Sequence, residues 1–360
     1  MVLLKNANER IQSGKFIQKI WEARKQIQPF ISSTPLIHSS PFSEKADSNV
    51  YLKLENLQKT GSFKVRGAAN KILHLTEEEK RCGVATFSTG NHGLAVAYVA
   101  QKLGIQSTIC ISNRVPKAKV DALKKSGAQI RIIGDSQDDA EKYCYELEEK
   151  YGMTVVKPFD DHDIIAGQGT VGLEILEEVP DLEALLVPLS GGGLLAGTAL
   201  AIKSVLPSIH VIGVSMERSP VMYESIQAGN PVVLKEQPTL ADSLLGGIGL
   251  DNEYTFHIIK EYVDDFLLVS EEEIAEGMGF MMDAHRMAVE GAAAVGMAAI
   301  LNNKLSKTYR KVGTIVSGCN VDVSVVSHIL QNYVQKMNKL YHPMKAGLPI
   351  RNSKIERRDG

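Results

Sequence analysis

The sequence predicts an α/β fold made of two open parallel-sheet units, and three observations carry that prediction. From Gly83 onward, short apolar runs alternate with amphipathic stretches, strand then helix, the order of a parallel sheet covered by helices on both faces. Polar, glycine-bearing loops recur between a strand and the helix after it, where ligands bind in such folds. A chain of 360 residues, 44% apolar and 23% charged, has enough material for two cores. The smaller unit is expected over about 83–160 and the larger over 1–82 and 161–338, with 339–360 as a mobile tail of prolines, glycines and charges.

Phe16, Ile17, Ile20, Trp21 and Ile27 recur at helical spacing, which predicts a docking helix over 14–28 that ends before Ser32-Ser33-Thr34-Pro35. Val50 to Leu54 alternates as a strand does, and a polar turn then leads to a helix over 65–75. In the smaller unit, strands are predicted over 84–87, 105–111, 129–133 and 155–156. Helices over 94–103, from Pro116 to Gly127, and over 137–151 separate them. The second series places helices over 172–178 and 194–205 between strands over 184–189 and 211–214. Ser270-Glu271-Glu272-Glu273 has the form of a capping box opening a helix toward His285, followed by a helix over 291–300 and a strand over 312–316.

Composition narrows the function classes. Lys and Arg number 40 against 42 Asp and Glu, so the net charge of −2 gives no electrostatic reason to expect nucleic acid or an anionic membrane. The N-terminal stretch has too short an apolar core for a signal peptide, and no run reaches the apolar length of a membrane span. Cys82, Cys110, Cys144 and Cys319 lack the spacing of a zinc site, so reduced thiols in a cytoplasmic protein are expected, with no metal.

The chemistry concentrates in four loops. Gly61-Ser62-Phe63-Lys64 delivers one lysine between a strand and a helix. Burial there would lower its pKa, and a neutral amine attacks carbonyls, although a lysine beside a turn is more often simply solvated. Ser190-Gly191-Gly192-Gly193, running into Leu194, lets backbone N–H groups converge at a helix N-terminus and reads as a phosphate cradle or a flexible turn. Its spacing is not that of a dinucleotide fingerprint. Ser88-Thr89-Gly90-Asn91-His92-Gly93 occupies the equivalent place in the other unit and offers donors to a carboxylate, while His92 alone is more often structural than catalytic. In Ser317-Gly318-Cys319-Asn320, Ser317 either bonds a ring nitrogen or caps the next helix, and Cys319 reads as a small packed residue.

Taken together, KTGSFKVRGA with Lys64, STGNHG at 88–93, SGGGLLAG at 190–197, EGAAAVG at 290–296 and SGCNVD at 317–322 resemble the fold type II pyridoxal-phosphate enzymes. Within that family of tryptophan synthase β-like folds, the chain looks like the group of threonine and serine dehydratases and serine racemase, over about Thr34 to Leu330. The resemblance implies pyridoxal 5'-phosphate bound in the larger unit, with Lys64 as the Schiff-base lysine and Phe63 against the cofactor ring. It implies Asn91 on the ring's 3-hydroxyl, and Ser190, Gly191, Gly192, Gly193 and Leu194 around the phosphate. It further implies Ser88, Thr89, Gly90, Asn91 and His92 around the substrate carboxylate, and Ser317 facing the ring nitrogen. A serine there cannot keep the nitrogen protonated as a carboxylate would, which favours prompt loss of a β-leaving group. The expected reaction is therefore β-elimination from a small hydroxy-amino acid, with Lys64 as the base at Cα and a 2-oxo acid and ammonia as products.

The departures matter as well. Thr89 stands where racemases present a serine on the opposite substrate face, so racemisation is the sterically less comfortable alternative. Glu217 matches one carboxylate of the family's cation site, but Tyr223 stands at the second. GVSMERSPVMYESIQAGNPV and LADSLLGGIGLDN look closest to a dehydratase subgroup of hydroxyectoine breakdown, which would imply a larger hydroxy-amino acid. A homodimer is expected from the resemblance alone.

Overall fold

The computed structural model describes residues 13–341 apart from Thr89, Arg114, Pro116 and Ser136. It divides into a compact body ending at Val321 and a C-terminal unit beginning at Asp322. The body opens with α1 (Ser13–Gln26), β1 (Leu36–His38), α2 (Ser40–Ala46), β2 (Asn49–Lys53) and α3 (Lys64–Leu73), followed by α4 (Glu77–Cys82). A run of β3 (Val84–Thr86), α5 (Asn91–Leu103), β4 (Ser107–Ile111), α6 (Lys117–Lys125), β5 (Gln129–Ile132), α7 (Gln137–Tyr151) and β6 (Thr154–Val155) comes next. Then come α8 (His162–Glu178), β7 (Ala184–Pro188), α9 (Gly193–Val205), β8 (His210–Met216), α10 (Val221–Ala228) and α11 (Thr255–Tyr262). β9 (Asp265–Val269), α12 (Glu271–His285), α13 (Gly291–Leu301) and β10 (Lys311–Ile315) complete the body.

These strands form two sheets, a six-stranded one in the order β1-β2-β10-β7-β8-β9 and a four-stranded one in the order β5-β4-β3-β6. Every pairing is parallel except β1 with β2. That exception follows from the short connection between them, which is below the dozen or so residues a parallel crossover needs. The central strand β7 is buried along its whole length, as a strand covered on both faces must be. α13 is likewise buried on every side, while Ser270 caps α12 through the predicted capping box.

The structure corrects several local expectations. α8 starts at His162 rather than near Gly172, because Asp161 caps it and its early glycines are packing sites, not loop residues. A Cβ on Gly167 would lie 2.6 Å from the Arg66 carbonyl oxygen, so only glycine lets α8 approach α3 this closely. Lys53, on β2, is fully buried. Its ammonium bonds the Thr34 carbonyl at 2.6 Å and pairs with Glu174 at 2.9 Å and Glu178 at 3.1 Å. Ser317 caps no helix, since the next one, α14 (Val323–Tyr341), starts six positions later. α14 also runs through 339–341, where the tail was expected to begin; the remainder of that tail, 342–360, lies outside the described residues.

Arg66, fully buried on α3, sits between Glu55 and Glu174, with pairs at 2.8 and 2.6 Å. Burial alone would loosen its proton, but the two carboxylates outweigh that and hold it above its ordinary pKa. Together with Lys53 the buried part of the group sets two positive charges against the carboxylates of Glu55 and Glu174, with the more exposed Glu178 at its edge, the condition for keeping ions out of water. It pins the helix that begins with Lys64 against α8 and the Glu55 turn.

Candidate active site

Lys64 is the first residue of α3, and its side chain turns inward from the strand-to-helix junction. Its amine donates to the Pro158 carbonyl at 2.7 Å and lies 5.3 Å from the centre of the Phe63 ring. Burial lowers its pKa to about 8, and the Glu290 carboxylate opposes that shift. The solvated-lysine reading of this residue is therefore wrong in this fold.

The loop before Lys64 is held by the loop after β10. Phe63 N donates to the Ser317 carbonyl at 3.1 Å, Cys319 N donates to the Gly61 carbonyl at 2.9 Å, and Ser62 bridges to Gly318. Gly61 adopts φ +72°, a left-handed turn with Asn320 pressed where a side chain would go. Ser317 is 3% exposed, so its hydroxyl is buried beside the lysine loop.

From the other sheet, β3 delivers Ser88 and Gly90, and α5 begins at Asn91, earlier than predicted, so Asn91 and His92 lie in its first turn. Asn91 donates to both Glu290 oxygens, at 2.8 and 3.1 Å, and accepts from Asn320 at 2.6 Å. His92 bonds the Val156 carbonyl through Nε2 at 2.9 Å, while its buried Nδ1 has no partner among the described residues. Burial and the nearby Lys64 charge push its pKa down to about 3, so the ring is neutral and structural in its protonation. Thr89 lies outside the described residues.

Ser190, half-buried, follows β7, and Gly191, Gly192 and Gly193 lead into α9, where Leu194 joins the core. A Cβ on Gly191 would lie 2.3 Å from the Phe159 ring, and one on Gly192, at φ +89°, would lie 2.5 Å from Ile259. The loop is thus walled closely and lies buried at a helix N-terminus, where backbone N–H groups make a ready anion site.

Two functional features escape sequence reading. Glu290, 3% exposed at the start of α13, orients Asn91 and stands near Gly318, but its letter in EGAAAVG signals only a helix start. The segment Val156 to Asp161 supplies the carbonyls that hold His92 and Lys64, the ring against Gly191 and the carboxylates that cap α11 and α8. No periodicity or motif marks it. Glu217 and Tyr223 sit elsewhere: Glu217 is 3.8 Å from the Lys304 ammonium, and Tyr223 packs edge-on against Phe266. Among the described residues no helix is long and apolar enough to cross a membrane.

Comparison with known proteins agrees with this geometry. Residues 27–318 match the family model described as "Pyridoxal-phosphate dependent enzyme". The chain is 45% identical over 323 residues to a putative threonine dehydratase of Sinorhizobium fredii, covering 90% of this chain and 97% of that one. It is 42% identical over 323 residues to the L-threonine ammonia-lyase of Thermotoga maritima, covering 90% and 80%. The structure of maize serine racemase superposes with a TM-score of 0.83 at 34% identity, covering 89% of this chain and 98% of that one. The chain belongs to the family of pyridoxal-phosphate-dependent enzymes, with the mixed α/β fold of two parallel sheets that its fold type II members share.

Proposed function

We propose that the protein is a pyridoxal-phosphate-dependent ammonia-lyase that removes the β-hydroxyl of L-threonine or L-serine, giving a 2-oxo acid and ammonia. The observation that carries this is the buried Lys64 amine, lowered to about 8 and placed beside the Asn91–Glu290 pair. The residues fit the cofactor: an aldehyde-reactive amine, a neutral amide held in one orientation, a buried hydroxyl at Ser317, and a glycine loop that any Cβ would fill. When bound, the cofactor supplies an electrophilic carbon for amines and a ring that acidifies the Cα–H of an attached amino acid.

The chain's own residues divide the remaining work. Lys64, as a free amine, would remove the Cα proton of the bound amino acid. Phe63 packs on the ring, Asn91 orients its 3-hydroxyl, and Ser317 offers the ring nitrogen a neutral hydroxyl. The N–H groups of Gly191, Gly192, Gly193 and Leu194, with the Ser190 hydroxyl, hold the phosphate. Ser88, Thr89, Gly90, Asn91 and His92 hold the substrate carboxylate. Glu290 raises the lysine's proton affinity against burial and keeps Asn91 in register. Residues 83–160 act as the small domain and the flanking segments as the large one, in a cytoplasmic homodimer; the free state of the described cysteines supports that compartment.

The similarity to threonine dehydratases supports this substrate class. The likeness to maize serine racemase favours a second reading, racemisation, in which Thr89 serves the opposite face from Lys64. A panel of β-hydroxy amino acids, including ones larger than threonine, tests the first reading through 2-oxo acid release. If the cofactor-loaded protein releases none from any member, the lyase reading fails. Racemisation requires solvent deuterium at Cα in recovered substrate of inverted configuration.

A further inference from the structure

We propose that Asp160 is a positioning residue for the phosphate cradle, its carboxylate tying together the two walls that hold Gly191 to Gly193 in shape. The proposal rests on the reading that this loop takes the cofactor phosphate.

At the start of α11, Tyr254 stands at the N-cap position and makes no side-chain cap bond, and the local Asn252 side-chain oxygen takes only the Phe256 N–H, at 2.9 Å. Asp160 takes the donors that Asn252 leaves, from a distant part of the chain. One of its oxygens accepts from Glu253 N at 2.8 Å, and the other accepts from Tyr254 N at 3.0 Å and Thr255 N at 2.9 Å. The side chain belongs to a residue only 7% exposed, so these three donors are what makes burying a carboxylate tolerable. Capping alone could be met locally by a serine or aspartate at position 254. The chain instead uses the neighbour of Phe159, whose ring is the wall against Gly191 and whose backbone lies 3.1–3.2 Å from where a Gly193 Cβ would stand. α11 supplies the opposite wall, since a Cβ on Gly192 would lie 2.5 Å from Ile259 and 3.2 Å from the Thr255 Cβ. Phe159 on one side and Thr255 with Ile259 on the other therefore enclose the loop, and Asp160 is bonded to both sides, covalently to the first and through hydrogen bonds to the second.

The test compares pyridoxal phosphate with pyridoxal, which lacks the phosphate but keeps the aldehyde. Full-length wild type, Asp160→Asn and Asp160→Ala are stripped of cofactor and titrated with each, followed by visible absorbance. Wild type should prefer the phosphorylated form. Asp160→Ala should lose about tenfold or more in affinity for it, the worth of at least one charge-assisted hydrogen bond, with pyridoxal affinity changed by less than about twofold. Asp160→Asn, which keeps one acceptor oxygen, should fall between, and it carries the comparison should the alanine variant fail to fold. The ³¹P resonance of bound cofactor should move toward that of free phosphate in the same order. Equal losses for both ligands, leaving their ratio unchanged, would show a purely structural role and overturn the proposal. Absence of any preference in wild type would instead bring down the cradle reading, and the proposal with it.

Discussion

The two glycine-bearing loops at the strand ends look alike in sequence and differ in structure. At 190–194 the space where a side chain would stand is already taken, by Phe159 at 2.3 Å from a Gly191 Cβ and by Ile259 at 2.5 Å from a Gly192 Cβ. At Gly90 a Cβ would meet nothing within 4 Å. One loop is a finished mould, suited to a group that stays bound; the other is open, suited to a substrate that arrives and leaves. Gly191 and Gly192 therefore serve close approach and Gly90 room, while Gly93, where a Cβ would lie 2.3 Å from the Ser88 carbonyl oxygen, packs the first turn of α5.

The lysine that links the loops gives the largest expected effect. Lys64→Ala removes both the covalent anchor and the base, so turnover should fall by about 10³-fold or more and the visible absorbance of the lysine-linked cofactor should vanish. Retained turnover would break the comparison by removing the group both loops are built to serve.

Gly191→Ala sharpens it next. Its methyl group must displace the Phe159 ring, and overpacking of that kind should lower cofactor affinity by about tenfold, read by titration with pyridoxal phosphate. Gly90→Ala is the control and the smallest effect: cofactor affinity should change by less than about twofold, any change appearing in the KM for the amino acid. Equal effects at the two glycines would end the distinction between mould and opening.

Between these lies a pH prediction. With its pKa lowered by burial from 10.5 to about 8, Lys64 is half neutral at pH 8. Only the neutral amine captures an aldehyde, so the rate of cofactor capture by the stripped protein should rise roughly tenfold per pH unit below that point and level off above it. A plateau reached only above pH 10 would mean a solvated lysine.

Most of the site was legible because its chemistry sits in residue types that strands and helices avoid. Three glycines in a row after β7 and a lysine between a strand and a helix announce backbone donors and a nucleophile before any fold is known. What stayed hidden depends on contacts between distant segments. Glu290 looks like any acidic residue at a helix start until Asn91 reaches it from the other sheet. Val156 to Asp161 contributes mainly carbonyls and capping carboxylates, and carbonyls are common to every residue. The burial of Lys53 was hidden as well, because distant carboxylates, not solvent, satisfy it. The antiparallel β1 edge was missed because three residues give too short a period to read.

The paired charges around Arg66 also bear on the order in which the protein is made. Glu55 and Arg66 emerge from the ribosome early, but Glu174 follows more than a hundred residues later. Until it arrives, Arg66 has Glu55 alone for a partner, and the helix that begins with Lys64 lacks the charge pair that holds it against α8. The Pro158 carbonyl that receives the amine comes in the same late stretch. The setting of the reactive amine is thus completed by the later half of the sequence folded against the first.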